Sequence, residues 1–247
     1  MPQSRETHVA VPMKQRPLAR AGLAAAVSAL ALCAALVLGS GGAGAAAAPR
    51  VTVVLGETPN TPDPSCPDNP CRGIASVTGF QVSNDNGSLP FRVPFDGTVT
   101  SWSMVLSQPT DSQRAFFNNT FGRPPQAHLA ILKRVPHSSP PRYRLRRQSA
   151  IRVLSPYLGR TVKFRLGKPL RVLKGNIVAL SVPTWAPAFA FNLSGRNVWL
   201  ASRQAGQCGP NGSLKGRPQQ KVGSVRAYGC RYGTARLLYT ATVVKGG

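Results

Sequence analysis

Seven carboxylates and three histidines are all that this 247-residue chain offers for acid–base chemistry. The acids are Glu6, Glu57, Asp63, Asp68, Asp85, Asp96 and Asp111, and none follows. From Ser112 to Gly247 there is no Asp or Glu, while the same stretch carries 24 Lys and Arg. That asymmetry excludes an EF-hand loop, a paired-acid Mg²⁺ site or a carboxylate-pair glycosidase centre built within those last 136 residues. The acids between Glu57 and Asp111 have no motif spacing. His128 falls in an apolar run (AHLAIL) and His137 in a Ser/Pro loop. No Gly-x-Ser-x-Gly and no His-Glu-x-x-His occurs, so neither a nucleophile elbow nor a zincin helix is written here. The expectation is a chain without catalytic motif, metal or cofactor.

Cations are the abundant group. The formal net charge is +24, yet charged residues make up only 15% of the chain, against 42% hydrophobic. This is the composition of a folded basic protein, not of a disordered polyelectrolyte. Arg142, Arg144 and Arg146 alternate, and so do Lys163 and Arg165. In regular strands each set projects from one face. If the two strands are neighbours, their cations share one surface, and like charges opposite each other cost free energy that a bound polyanion would relieve. Such a face would take anionic polysaccharide, wall polymer or extracellular nucleic acid. The competing reading is a solvated outer face screened by salt.

Aromatic side chains are the other candidate binding groups. Trp185 opens an apolar, Pro-interrupted stretch (WAPAFAF) that reads as a loop, where an exposed indole would stack on a sugar ring. Trp102 and Trp199 lie in strand-like runs and read as core.

The elements that must carry these residues are short. Gly and Pro together number 47, and period-2 runs recur between turn signals, as in RTVKFRLG (160–167), NIVALSVP (176–183) and NVWLASR (197–203). Val162, Phe164 and Leu166 alternate with Lys163 and Arg165, one face in and one face out. Asn86-Gly87 and Asn211-Gly212 mark turns. No sustained 3.6-residue period follows residue 48. The predicted fold is all-β, an antiparallel β-sandwich of jelly-roll type over 73–247, entered through a Pro-rich arm or loop at 49–72.

Before it, residues 1–20 carry Lys14, Arg16 and Arg20, residues 21–38 are apolar without charge, and small residues run on to Ala48. Basic, apolar, then Ala-rich is the order of a secretory signal helix, placing a signal peptide at 1–48 with cleavage between 43 and 48, the rival reading being an uncleaved anchor, since the apolar stretch is near the length that spans a bilayer. The mature chain then has no membrane span, lies outside the cell or in its envelope, and keeps Cys66, Cys71, Cys208 and Cys230. An even count in an exported chain reads as disulfides, and four cysteines allow three pairings. The local set, Cys66–Cys71 and Cys208–Cys230, is expected, each bond stapling one loop. A Cys₄ zinc site is disfavoured because no Cys-x-x-Cys occurs.

Two resemblances add to this. PFRVPFDGTVTSWSMVLSQP, AHLAILKRV and VKFRLGKPLRVLKGNIVALSVPT, with Val172, Gly175, Ile177 and Leu180 in the last, resemble secreted β-sandwich proteins of high-GC actinobacteria. That group implies the fold and no activity. Gln126-Ala127-His128 is similar to the Gln-x-His strand of jelly-roll alginate lyases, which implies proton abstraction from a uronate by His128. The Arg-x-Glu-x-Arg and Tyr-x-Lys-x-Gly-x-Tyr-x-Gln elements of those lyases are absent. The sequence thus points to a non-catalytic exported module that meets anionic polymers. A lyase-like enzyme and a purely structural domain are the alternatives.

Overall fold

The computed structural model describes residues 50–209 and 219–246. The predicted signal peptide and the Asn211-Gly212 turn lie outside the described residues. In chain order the strands are β1 (Thr52–Leu55), β2 (Ile74–Asn84), β3 (Gly87–Ser88), β4 (Gly97–Val105), β5 (Gln126–Val135), β6 (Arg142–Gln148), β7 (Arg152–Val153) and β8 (Thr161–Val172). They continue with β9 (Ile177–Ala186), β10 (Phe189–Phe191), β11 (Val198–Ala201), β12 (Val225–Ala227), β13 (Cys230–Tyr232), β14 (Ala235–Leu237) and β15 (Tyr239–Lys245). Among the described residues one α-helix, α1 (Asp111–Phe121), separates β4 from β5.

The strands form antiparallel sheets, as the alternation predicted. The smaller main sheet has the order β1-β15-β4-β8. The larger runs β12-β6-β5-β9-β2-β11-β13 and curls into a half-barrel, with β3 paired to β2 and β7 to β5. A separate pair joins β10 to β14. β9 is the continuous apolar run expected of a central strand: Ile177 to Val182 are all buried. Pro183 and Thr184 oppose the single residue Ser76 at a register shift, where a missing N–H does no harm to the ladder. The β2–β3 hairpin turns at Asp85-Asn86, one residue before the Asn86-Gly87 pair expected, and Gly87 pairs with Asn84 as the first residue of β3. The core between the sheets holds Val99, Trp102, Met104 and Phe164 on one side and Leu129, Ile131 and Leu180 on the other. Trp102 and Trp199 are both buried, as expected.

Two expectations fail. The stretch at 49–72 is not all loop. Thr52–Leu55 pairs with Val244–Ala241 as β1, because Val53 and Leu55 have sheet surface to pack on. The absence of a helix is also wrong. Thr110 and Gln113 form a capping box, with the Gln113 N–H donating to Thr110 Oγ1 at 3.3 Å and the Thr110 N–H to Gln113 Oε1 at 2.9 Å. The Thr-x-x-Gln signature stands in the sequence, but weak amphipathicity hid the helix behind it.

The predicted disulfides are those that form, Cys66–Cys71 and Cys208–Cys230. Two such bonds are the chemistry of an oxidising compartment. Among the described residues no helix is long and apolar enough to cross a membrane.

Candidate anion-binding seam

β6 holds its first two arginines as the alternation requires. Arg142 and Arg144 are exposed, and Tyr143 and Leu145 between them are buried. The Tyr143 ring meets Phe80 edge-on at 5.2 Å and Tyr228 at 4.9 Å. Tyr228 in turn donates its hydroxyl to Gln220 Oε1 at 2.8 Å, and Gln220 Nε2 donates to the Tyr143 carbonyl at 2.8 Å. This knot fixes the strand against the half-barrel.

The regular alternation ends at Arg146. Leu145 faces Leu132 and Arg147 faces Ile131, so Arg146 is the extra residue of a bulge. A bulge bends its strand and re-aims a side chain. Here it lets two consecutive residues, Arg146 and Arg147, line the same cleft. The cleft, about 230 Å³, is completed by Lys133 of β5 and by Arg171, Leu173 and Asn176. β8 is the free edge of the small sheet, so the cleft is a seam where the margins of the two sheets meet. Lys133 sits directly opposite Arg144 in the ladder, adding to the local repulsion.

The far wall is set by the β8–β9 turn. The Asn176 N–H donates to the Leu173 carbonyl at 3.0 Å, and the Leu173 N–H donates to Asn176 Oδ1 at 3.1 Å. Gly175 takes φ +83°, a conformation that favours glycine. Asp96 Oδ1 accepts from the Lys174 N–H at 2.7 Å, so this acid is used on the outside of the turn. Among the described residues no carboxylate lines the seam. Four cations therefore converge with no internal counter-ion, on exposed side chains that water and anions reach.

The predicted face is reorganised rather than reproduced. Lys163 and Arg165 are exposed and alternate with buried Phe164, as read. However, their ladder partners are Ser103 and Ser101 of β4, in the other sheet from β6. The condition that the two basic strands be neighbours is not met, because β8 pairs with β4 only. Arg142 lines a separate cleft of about 590 Å³ with Lys221 and Arg226. Arg144 spends one donor, Nη1, on the Gly223 carbonyl at 2.7 Å. Sequence reading missed Lys133 and Arg147. The Arg-Arg pair at 146–147 is the only trace of the bulge that recruits the second.

Trp185 requires a correction. It is fully buried and presents no face to a sugar. Its stretch is not a loop but the end of β9, followed by β10. Phe117 of α1 stacks on the indole at 4.9 Å, and Trp185 Nε1 donates to Asn118 Oδ1 at 3.0 Å. Cys66 joins the same small cluster. The indole is thus the floor beneath the helix that the sequence did not reveal.

His128 is buried on β5, and its Nδ1 has no hydrogen-bond partner among the described residues. Burial pushes its pKa below the ordinary imidazole value, opposed in part by a hydrogen bond with the Leu129 backbone. It lies opposite Ser181, whose hydroxyl is 2.8 Å from Thr78 Oγ1. It lines neither the seam nor the larger cleft. The carboxylate with the most partners is Asp85. It accepts from Ser194 Oγ at 2.5 Å and Asn197 Nδ2 at 2.9 Å, and these bonds, with Arg196 nearby, lower its pKa. They tie the β2–β3 hairpin to the 194–197 loop. Among the described residues no group of three or more His, Cys, Asp or Glu is placed to hold a metal. Compared with protein-family models, curated proteins and solved structures, the chain matches none of them.

Proposed function

We propose that the mature chain is an exported, non-catalytic β-sandwich module of jelly-roll type that associates with anionic polymers of the cell envelope or its surroundings. The polymer lies in the seam between the sheets. Lys133, Arg146, Arg147 and Arg171 take its charged groups, and Arg142 and Arg144 flank the strand. The observation that carries the reading is the convergence of four cations from two sheets on one carboxylate-free cleft. Guanidinium groups suit phosphate, sulfate or carboxylate oxygens by paired hydrogen bonds, and their charge releases counterions from a polyanion. Export is supported by the basic, apolar and Ala-rich order of residues 1–48 and by two disulfides. The likeness in texture to secreted actinobacterial β-sandwich proteins agrees with both.

The test is retention on immobilised heparin. Arg146→Ala/Arg147→Ala should elute at clearly lower salt than the unaltered protein. Lys163→Ala/Arg165→Ala, removing the same charge outside the seam, should shift elution much less. Equal shifts from the two variants would reduce the site to net charge alone and overturn the reading.

A further inference from the structure

Arg236 presents a different problem from the exposed arginines. It is only 8% exposed. Its backbone is held in place: Gln81 Nε2 donates to the Ala235 carbonyl at 2.9 Å, and the Leu237 N–H donates to Gln81 Oε1 at 3.3 Å. Its one side-chain hydrogen bond among the described residues runs from Nη2 to Thr58 Oγ1, at 3.1 Å. Among those residues no carboxylate lies within 4 Å of it; Asp85 attracts it from farther away, and burial outweighs that attraction. A guanidinium carries five N–H donors in a rigid fork. A buried charge with so few partners is costly unless something else satisfies it.

The space it faces is a cleft of about 190 Å³ between the N-terminal arm and the small sheet. Thr58 and Thr61 of the arm, with Ser103 and Thr161 of the sheet, bring hydroxyl-bearing residues to its walls. Half-buried Val105 makes it partly apolar. Sites for drug-sized ligands run to about 300–1,000 Å³, so this one fits a fragment-sized molecule. Exposed Glu57 is the one acid on the lining among the described residues.

We propose that this cleft binds a small organic monocarboxylate with a short apolar tail, its carboxylate paired with the Arg236 fork and its tail along Val105. One buried positive charge is matched by one negative charge. The planar carboxylate fits the fork bidentately. Glu57 disfavours any further negative charge on the ligand, which sets the site apart from the polyanion seam. The site does not depend on the polymer-binding reading.

Hexanoate is a suitable probe, titrated calorimetrically against the oxidised full mature chain, with hexan-1-ol and inorganic phosphate as controls. Saturable binding of hexanoate, with no binding of hexan-1-ol and weaker binding of phosphate, is expected. Arg236→Lys keeps the charge but loses the fork and should weaken hexanoate at least tenfold. Glu57→Gln alters only an exposed residue and should tighten hexanoate by about two- to fivefold, the size of one exposed charge contact. That variant decides the matter if Arg236→Lys does not fold. Absence of hexanoate binding in both the unaltered protein and Glu57→Gln would overturn the proposal. So would weaker binding in Glu57→Gln, which would mean that Glu57 itself is the partner of Arg236.

Discussion

Removing Arg147 and Arg171 together takes one cation from each sheet out of the seam. Both are exposed, and surface substitutions of this kind change stability by about 0.5 kcal/mol or less, so the fold should survive. The consequence is best read as a salt dependence. If a flexible single-stranded polyanion engages all four cations, log K should fall with log salt at a slope of about −2.8, taking roughly −0.7 per contact. With two cations left the slope should be about −1.4. Between 50 and 200 mM salt the unaltered protein would lose about 50-fold in affinity and Arg147→Ala/Arg171→Ala only about sevenfold. Fluorescence anisotropy of a labelled oligothymidylate, titrated at several salt concentrations, measures this directly. Lys163→Ala/Arg165→Ala should keep the steep slope. A seam variant as steep as the unaltered protein, or a control as shallow as the seam variant, would refute the assignment of binding to the convergent cations.

Three further outcomes are expected. Trp185→Ala should destabilise the fold by about 3–5 kcal/mol in urea titrations, the cost of a large core truncation, and leave polyanion affinity unchanged; retained stability with lost binding would restore a surface role. Reducing the 22-residue link through Cys208→Ser/Cys230→Ser should cost about 3 kcal/mol from loop entropy, again by urea titration. For His128, burial holds the folded pKa below the unfolded value, so the unfolded chain binds the extra proton. Its contribution is therefore whole above about pH 6.5 and is lost as the pH falls from there through the depressed folded pKa. The urea midpoint should drop between pH 6.5 and 5, and His128→Asn should flatten that drop; a midpoint of the unaltered protein that does not move in this range contradicts the argument.

The antiparallel architecture and both disulfides were legible because they depend on local signals. Alternation fixed the inward faces of β6 and β8: Tyr143, Leu145 and Phe164 are buried where the period put them. Pairing of Cys66 with Cys71 and of Cys208 with Cys230 followed from nearness in the chain. What escaped depended on tertiary context. Strand order cannot be read from a period of two, so whether the two basic strands were neighbours stayed open, and they belong to different sheets. A bulge leaves no composition signal, so Arg147 joined the site unannounced. Trp185 was misread because its Pro-broken apolar stretch resembles a loop until α1 is placed over it. That helix was marked only by Thr110 and Gln113. Arg236 carried no signal at all, since its significance lies in its burial beside a cleft, which only the fold creates.

The proposed site of anion binding is the meeting edges of the two sheets. Amide hydrogen exchange with and without a saturating short oligothymidylate maps that place on the oxidised mature chain. Protection concentrated at residues 131–134, 145–148 and 170–176 is the predicted pattern. Protection centred on 161–166, or spread evenly over every basic strand, would contradict it.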